Sequence, residues 1–447
     1  MILYIPLEVY TREINAHLLL ATIAVSRGYE VLIASPNDLW MYKRLSLLPK
    51  GSYLIKNMNI PTNSESQYNS YLKDGFDLYC QEQEPSILHS SFEDFTKTMK
   101  INSNQLLPFK AVFCWGERGT NGYKNLFSSK SSIFYNTGSP RSDLWTNKYL
   151  PLREFNYIKN FTPYILFVLN FGGAMGQKHW TSHIKTLFGL ELIKKEEDLI
   201  DFINEFKEES NICFEMILAI KNVSVKFPNL NIVIRPHPVS DGEYWKALFS
   251  INKNVIVSSN EDSLSSWISN SQLVIHNGCT SAIETVIQNI PLISHGSDRN
   301  FCKINIPNSL GKRTKTFIEL ESAINDVINN KDKNIDQLES KNILNNLISF
   351  EMSNSSNLIL DIISSKSVAN LEFKFSYLGI MMMRITKKVK SILDKFRRLF
   401  GNQTLKDVGY EVDKTEVENT VKIISKTHNI NQPKIEFISK TAILLKK

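Results

Sequence analysis

The chain has 447 residues, of which 42% are hydrophobic and 22% are charged, and its formal net charge at pH 7 is +7. This length suits two domains of ordinary size better than a single core. The sequence has no apolar run of about 18 residues, the length of a membrane-spanning helix, which argues against an integral membrane protein. The modest positive charge is no reason to expect a nucleic-acid partner.

The N-terminal residues, MILYIPLEVYTRE, lack the basic region and the long apolar region of a secretory signal, so we expect a cytoplasmic protein. The five cysteines form no CxxC pair and no cluster with histidine, which argues against a disulfide framework and a zinc site. We expect no metal and no cofactor. The cysteines are Cys80, Cys114, Cys213, Cys279 and Cys302.

Strand and helix patterns alternate along the first 150 residues. ILYIP (Ile2 to Pro6), an apolar-periodic segment from Glu13 to Ser26 and YEVLIAS (Tyr29 to Ser35) predict a βαβ unit. Three short apolar segments follow, each closed by polar or glycine residues. We therefore predict a parallel sheet flanked by helices in residues 1–150. The three segments are 76–82, 110–116 and 131–138.

A polar segment from about Thr146 to Thr162 interrupts this alternation and is the candidate interdomain linker. Strand patterns then restart at PYILFVLNFGG (Pro163 to Gly173) and recur up to Gly296, with a long helical region near 191–227. These patterns predict a second domain over 163–330. Residues 331–447, rich in Lys, Asn and Ser, predict a helical extension. The fold class is thus α/β, with two Rossmann-like domains and a helical C-terminal extension.

In the segment NLNIVIRPHPVS, a predicted strand is followed by an arginine and a histidine. Its apolar residues run directly into Arg235 and His237, which alternate with prolines. Ligands of open α/β sheets bind beyond the carboxyl ends of the strands. Arg235 and His237 are therefore candidate ligand contacts, although His237 can also be explained as a core histidine.

A second candidate follows the predicted strand QLVIHNG. The segment NGCTSAIETVIQ (Asn277 to Gln288) predicts a glycine turn, Thr280 and Ser281 as cap residues, and then a helix. The free amides at a helix N-terminus bind anions, so the turn and RPHP together predict a phosphate site. Glu284, one helical turn on, could accept hydrogen bonds from ribose hydroxyls. The alternatives are that Ser281 only caps its helix and that Glu284 is an ordinary helix acid.

The predicted first domain contains weaker candidates for binding substrate. Glu8 and Arg12 lie with Glu13 in the first strand-to-helix turn, where Arg12 would suit a carboxylate. An ordinary charge cluster at a helix N-terminus is the alternative. Arg141 is a further candidate, although an ion pair with Asp143 that orders its turn explains it slightly better.

The segment SYLGIMMMRITKKVKSILDKFRRLFG (Ser376 to Gly401) combines apolar residues at helical spacing with a basic face. This pattern is typical of an interfacial membrane helix, and it predicts peripheral association with the inner membrane. Packing of a basic amphipathic helix on its own domain is the alternative.

The RPHP motif after a strand, followed by the Ser/Thr turn, resembles GT-B-like transferases of bacterial surface polysaccharides. These include CMP-sugar-using sialyl- and Kdo-transferases with HP and Ser motifs and the glycerophosphotransferases of teichoic acid synthesis. Further segments are similar, in the expected order, to the proteins called surface carbohydrate biosynthesis proteins. The resemblance covers about residues 1 to 330 and implies a GT-B-like fold. The segments are IPLEVYTRE (Ile5 to Glu13), QEQE (Gln81 to Glu84), TGSPRSDLW (Thr137 to Trp145) and YILFVLNFG (Tyr164 to Gly172).

The resemblance also implies roles for individual residues. In these families an acidic motif of the QEDG or DEEG type carries a catalytic carboxylate in the N-terminal domain. The motif here, QEQE, is followed by proline and lacks the glycine and the second acid in register, so either Glu82 or Glu84 inherits the role. Without the resemblance, Glu82 is explained as a solvated acid at a strand end. His237 joins the catalytic candidates, and the second domain would bind the nucleotide without a metal.

The resemblance implies a glycosyltransferase of capsule or lipopolysaccharide synthesis that uses a CMP-activated acidic sugar, such as Kdo or a nonulosonic acid. Its partners would be that donor and a saccharide or lipid-linked acceptor. A glycerophosphotransferase that uses CDP-glycerol and a relative that binds nucleotide or polysaccharide without catalysis are the alternatives.

Overall fold

The structure, a computed structural model, divides into two compact units. The first comprises Met1–Ile87, Ser91–Leu152 and Asn346–Lys447, and the second comprises Leu88–Ser90 and Arg153–Asn345. The residues described are all except 59–61, 83–85, 87–88, 90, 100, 102–107, 155, 172–184, 186–187, 189–192, 239, 259–262, 297–305, 330–334, 346, 351–353, 368–372 and 400–409.

The strands of the described residues, numbered in chain order, are β1 Ile2–Pro6, β2 Glu30–Ala34, β3 Ser52–Ile55, β4 Asp77–Gln81, β5 Ala111–Cys114, β6 Phe134–Asn136, β7 Tyr164–Val168, β8 Asn231–Arg235, β9 Val255–Val257, β10 Leu273–His276, β11 Leu292–His295, β12 Lys312–Thr314, β13 Lys434–Ser439 and β14 Ala442–Lys446.

The helices of the same residues are α1 Tyr10–Ser26, α2 Pro36–Arg44, α3 Thr62–Lys73, α4 Phe92–Thr98, α5 Glu117–Leu126, α6 Pro140–Asp143, α7 Asn156–Lys159, α8 Glu196–Lys226, α9 Gly242–Leu248, α10 Leu264–Asn270, α11 Ser281–Ile287, α12 Phe317–Ile328, α13 Ile335–Asn345, α14 Ser355–Lys366, α15 Tyr377–Leu399 and α16 Lys414–His428.

The first unit is built on an eight-stranded sheet in the order β13-β14-β2-β1-β3-β4-β5-β6. The strands from β2 to β6 pair in parallel, and both faces of the sheet are covered by apolar side chains. In β4, for example, Leu78 and Cys80 lie in the core on one face and Tyr79 lies in the core on the other. Burial on both faces is why these strands are continuous apolar runs.

The end of the chain completes this sheet. β14 pairs antiparallel with β2, and β13 pairs antiparallel with β14. Ile443 and Leu445 pack into the core on one face of the sheet, and Leu444 packs into the core on the other. The prediction of a helical extension over 331–447 is therefore wrong in two respects: residues from Asn346 onward belong to the first unit, and the segment ends in strands. The physical reason is that the edge of β2 and its apolar faces need a cover.

The second unit contains a six-stranded parallel sheet in the order β12-β11-β10-β7-β8-β9. The chain adds β8 and β9 on one side of β7 and then adds β10 on the other side. The strand order therefore reverses between β7 and β10, which is the position where open α/β sheets bind ligands.

The α/β class with two Rossmann-like domains is confirmed by these two sheets. The boundary between the units, at Leu152 and Arg153, falls within the segment predicted as a linker. β3, β12, β13 and β14 were not predicted. No helix of the described residues is long and apolar enough to cross a membrane.

The packing of β14 leads to a prediction about stability. Ile443→Ala and Leu445→Ala should each lower the free energy of unfolding by about 2–5 kcal/mol, because each leaves a cavity in a fully buried site. Urea unfolding of the full chain, followed by tryptophan fluorescence, measures this change.

The matched control is Ile251→Ala, since Ile251 is 81% exposed and its truncation should change the free energy by no more than about 0.5 kcal/mol. Losses at Ile443 and Leu445 as small as that of the control would show that the C-terminal strand is not part of the core.

Candidate functional site

The turn after β10 lies where the strand order of the second sheet reverses. Gly278 has φ +100°, a conformation that favours glycine, and it allows the chain to turn from β10 into α11. The loop after β7 is bonded to this turn: the backbone N–H of Asn170 donates to Oδ1 of Asn277 (2.9 Å), and Nδ2 of Asn170 donates to the carbonyl of Gly278 (3.1 Å). The two loops are thus held together by amide side chains.

His276 is hydrogen-bonded to the backbone of the same turn. It is fully buried at the end of β10, and its Nδ1 accepts hydrogen bonds from the backbone N–H groups of Gly278 (3.0 Å) and Cys279 (3.4 Å). Burial lowers the pKa of His276 to about 3, so the ring is neutral at pH 7 and can accept these bonds. His276 therefore shapes the turn.

The hydroxyls of Thr280 and Ser281 do not act as helix caps. Thr280 is the N-cap residue of α11 but makes no side-chain cap bond, and its side chain is exposed. Ser281 is only 2% exposed, and its Oγ has no hydrogen-bond partner among the described residues. The cap role predicted for both residues is wrong, and Ser281 carries a buried hydroxyl without a hydrogen-bond partner among the described residues.

Arg235 and His237 lie at the same edge of the second sheet. Arg235 ends β8, is buried, and its carbonyl accepts from the N–H of Leu169 (3.0 Å). His237 is partly buried, and burial lowers its pKa. β7 separates β8 from β10, so the two candidate groups are about two strand spacings apart, roughly 10 Å. The structure thus brings both motifs to one edge, with Asn170 between them.

Glu284 occupies a different environment from the one predicted. Its carboxylate is buried and accepts from Nε2 of Gln288 (3.2 Å), which also donates to Oγ of Ser265 (3.0 Å). Burial lowers the pKa of Arg153 to about 10. The nearby carboxylate of Glu284 has the smaller, opposite effect on that pKa. The carboxylate of Glu284 is thus held in a buried polar network, and its contact with a ribose stays a prediction.

Glu82 lies at the carboxyl end of β4 in the first unit and is only 4% exposed, so it is not a solvated acid. Its Oε1 accepts from the hydroxyl of Tyr123 in α5 (2.7 Å), and its carbonyl accepts from Nε1 of Trp115 (2.6 Å). Gly119, in the first turn of α5, faces the carboxylate: a Cβ at this position would lie 3.8 Å from Oε2. The buried carboxyl is thus held between the sheet and α5.

Burial raises the pKa of Glu82 to about 7, although the hydrogen bonds from Tyr123 and from the backbone of Trp115 and Ser86 act in the opposite direction. A carboxyl with this pKa is partly ionised at neutral pH and can take up or release a proton. Glu84, the alternative carboxylate, lies outside the described residues.

Glu8 and Arg12 belong to a charged cluster around Glu13. Nζ of Lys56 lies 2.9 Å from Glu8 and 2.8 Å from Oε1 of Glu13, and Arg12 lies 3.6 Å from Glu13. Oε2 of Glu13 accepts from the backbone N–H groups of Glu8 (3.0 Å) and Val9 (3.1 Å), which fixes the turn between β1 and α1. These ion pairs and hydrogen bonds form a charge cluster at the N-terminus of α1, which is the alternative explanation. Substrate binding by Glu8 and Arg12 stays a prediction.

A small pocket adjoins this cluster, with room for about one water molecule. His17 and Lys56 belong to its lining and are not among the residues predicted from the sequence. The only signal for His17 was a lone imidazole four residues after Glu13 in an apolar helix, a spacing that puts both on one face of α1. The lining residues are Ile5, Pro6, Glu13, His17, Leu54, Ile55, Lys56 and Gln81.

Arg141 and Asp143 each make a contact other than the predicted ion pair. The Arg141 guanidinium lies over the ring of Trp145, 5.5 Å from its centre. Asp143 is buried, and its Oδ2 accepts from the backbone N–H of Ser355 (2.8 Å). Burial raises the pKa of Asp143 to about 6. Arg141 therefore supports the turn through Trp145, while Asp143 connects it to α14.

Among the residues that the structure describes, no three His, Cys, Asp or Glu side chains are grouped so that they could hold a metal ion. The groups suited to an anion are the hydroxyls of Thr280 and Ser281 and the basic side chains of Arg235 and His237.

Comparisons with known proteins found no matching family model and no matching curated protein. Solved structures do match. A variant of the wall teichoic acid polymerase TagF has a TM-score of 0.56 at 12% identity, covering 83% of this chain and 90% of that chain. A TagF variant soaked with CDPG has a TM-score of 0.51 at 11% identity, with the same two coverages.

The UDP-GlcNAc 2-epimerase from Neisseria meningitidis, bound to UDP-GlcNAc, has a TM-score of 0.45 at 12% identity and covers 81% of this chain and 99% of that chain. At such identities the likeness concerns the fold alone. Together with the two sheets described above, the match to TagF shows that this chain has the two-domain GT-B type of α/β fold.

Proposed function

We propose that the chain is a cytidine-nucleotide-dependent transferase of bacterial surface polysaccharide synthesis. Its donor would be a CMP-activated acidic sugar such as Kdo or a nonulosonic acid, and its acceptor a saccharide or a lipid-linked saccharide. The observation that carries the proposal is the turn after β10, which lies at the strand-order reversal and carries Ser281, whose hydroxyl has no hydrogen-bond partner among the described residues. In this proposal the second unit binds the nucleotide and the first binds the acceptor.

The chemistry of the donor fits this arrangement. When a sugar is transferred from its CMP ester, CMP is the leaving group. CMP is a phosphate monoester, so the protein must stabilise the negative charge that develops on its phosphate. Ser281, Arg235 and His237 supply donors at one edge of the sheet, and Thr280 adds an exposed hydroxyl beside them. Such donors bind phosphate without a metal.

CDP-glycerol is a second candidate donor. It is suggested by the likeness of the fold to TagF, one variant of which was soaked with CDPG. Transfer from either donor leaves CMP, so a CMP-release assay with CMP-Kdo, CMP-sialic acid and CDP-glycerol distinguishes them by rate. Nucleotide binding without release from any donor would favour the non-catalytic alternative.

Nucleotide affinity tests the phosphate site. Ser281→Ala and His237→Ala should each weaken CMP binding, measured by calorimetry, by about 10-fold, since each removes a hydrogen bond to a charged group worth about 1.5–3 kcal/mol. Arg235→Lys should also weaken it, because an ammonium cannot reproduce a two-pronged guanidinium contact.

The matched control is Ser425→Ala in α16 of the first unit, where another buried hydroxyl has no hydrogen-bond partner among the described residues. Its affinity for CMP should be unchanged. Unaltered CMP affinity in both the Ser281 and His237 variants would rule out the phosphate site.

The catalytic carboxylate that we propose is Glu82, as general base for the acceptor hydroxyl. Its pKa of about 7 lies close to a neutral working pH, where a base combines sufficient ionisation with sufficient strength. Tyr123 donates to the charged form and therefore adjusts this pKa. Glu84 remains the alternative, two residues away.

The pH dependence of transfer tests this assignment. The wild-type rate should rise through about pH 7 as Glu82 ionises, and Glu82→Gln should lower the rate by about 100-fold or more without changing nucleotide affinity. Tyr123→Phe should shift the rise to higher pH, since it removes a bond that lowers the pKa of Glu82.

Stability provides a control that is independent of activity. The folded-state pKa of Glu82 is raised, so the protonated form is favoured on folding, and the wild type should lose stability relative to Glu82→Gln between about pH 4.5 and pH 7. If this stability difference appears while Glu82→Gln transfers normally, the carboxyl is structural, and Glu84→Gln is the next variant to measure.

We further propose that α15 binds the surface of the inner membrane. One face packs on the first unit through the buried Ile380 and Met383 and through Lys387, whose Nζ lies 2.5 Å from the fully buried Asp38. The opposite face exposes a stripe of apolar residues spaced three and four apart, and Lys388 is exposed beside it. The stripe is Leu378, Met381, Met382, Ile385, Val389, Ile392 and Leu393.

An apolar stripe next to basic residues suits an anionic lipid surface, where burial of the stripe and attraction of the charges act together. Replacing three residues of the stripe by glutamate should lower binding to phosphatidylglycerol vesicles by at least about 10-fold in a sedimentation assay. The changes are Ile385→Glu, Val389→Glu and Ile392→Glu.

The control carries the same added charge at three exposed apolar positions of the second unit and should sediment like the wild type. These changes are Ile251→Glu, Ile318→Glu and Leu338→Glu. Equal sedimentation of both triple variants would exclude the stripe as the membrane contact.

A further inference from the structure

The small pocket of the first unit lies where the strand order of its own sheet reverses. The chain places β2 on one side of β1 and β3 on the other. The pairing of β1 with β3 covers only Leu3 with Ser52 and Tyr4 with Tyr53, so the pocket is flanked by the carboxyl ends of these strands beyond their last pair. A crevice in this position is the general ligand position of an open α/β sheet.

One buried polar group in the lining lacks a partner. His17 is 5% exposed, and its Nδ1 makes no hydrogen bond to any described residue. Burial lowers the pKa of His17 to about 4, against the opposing effect of Glu13, so the ring is neutral at pH 7. A buried nitrogen without a partner costs free energy, and a bound group that completes the hydrogen bond removes that cost.

The charges around the pocket indicate what kind of group this is. Burial alone would raise the pKa of Glu13, but His17 when charged, Lys56 and the N–H of Glu8 together lower it, so the carboxylate is ionised at pH 7. The ammonium of Lys56 pairs with both Glu13 and Glu8. The two carboxylates would repel an added anion, and the ammonium would repel an added cation. A neutral group is therefore favoured.

A hydroxyl fits these requirements. It is the size of the water molecule for which the pocket has room, and it both donates and accepts, so it completes Nδ1 of His17 in either tautomer. We infer that the pocket formed by Glu13, His17, Lys56 and Gln81 is a subsite for one hydroxyl group of a neutral polyol or saccharide. The inference deepens the proposed function, since the hydroxyl would belong to the acceptor.

Imidazole NMR of the full chain tests the subsite. The chain has eight histidines, and the loss of signals in His17→Gln and in His276→Gln assigns those two residues in ¹⁵N-histidine-labelled protein. Titration with glycerol and with methyl β-D-glucopyranoside should shift the His17 nitrogen signals to saturation. The His276 signals should stay constant, because His276 lies in the second unit and does not line the pocket.

Two variants and one alternative probe complete the test. Glu13→Gln, which keeps the size of the side chain and an acceptor for the N–H groups of Glu8 and Val9, should weaken the binding of the better probe by about 10-fold. Asp74→Asn, which also removes one carboxylate of an ion pair with a lysine, should not change it. Inorganic phosphate at the same concentrations should leave the His17 signals in place.

Each outcome bears on the subsite separately from the proposed function. A larger response to the glycoside than to glycerol assigns the subsite to a saccharide, and the reverse assigns it to a polyol. His17 signals that respond to neither probe, or respond to phosphate alone, would overturn the inference and leave an ordered water as the occupant, even where CMP binds. A saturable His17 response in a protein that binds no CMP would support the subsite and reject the proposed function.

Discussion

Burial of both faces of each sheet is the constraint on which the rest of the structure depends. Strands such as β1, β4, β7 and β10 are apolar along their length because helices cover them on either side. Polar side chains that can meet a ligand are then confined to the carboxyl edges, where the chain leaves each strand. The turn after β10 and the crevice beside β1 are the places where strand order reverses, which is the general ligand position of open α/β sheets.

The same burial sets the protonation of the polar groups that remain inside. Glu82, His17 and His276 are all removed from water, and in each case desolvation is the largest effect on the pKa and favours the neutral form. The roles of the two histidines differ because their surroundings differ. Each ring has one buried nitrogen without a partner among the described residues, Nδ1 in His17 and Nε2 in His276. Nδ1 of His276 accepts from two backbone N–H groups and shapes its turn, whereas His17 lines a pocket.

The sequence predicts much of the fold because the strand signals are local. The runs ending in Arg235 and His276 are strands, and the motifs after them meet at one edge, as the strand-end argument requires. The run AILLK, Ala442–Lys446, is equally apolar, but its partner β2 lies about 400 residues earlier, and no local pattern reports such pairing. Glu284 illustrates the same limit, since helical spacing places it near the turn but cannot reveal that Gln288 and Arg153 surround it.

The C-terminal segment attaches α15, the helix proposed to bind the membrane, to the first unit. Asp38 is fully buried and receives both Lys387 and the hydroxyl of Thr441 (2.5 Å), so the segment before β14 and the helix are anchored at one carboxylate in the first unit. A charge buried in this way is stable only with its partners in place. The orientation of α15 is thereby fixed with its apolar stripe outward, which is the arrangement that a helix lying on a membrane surface requires.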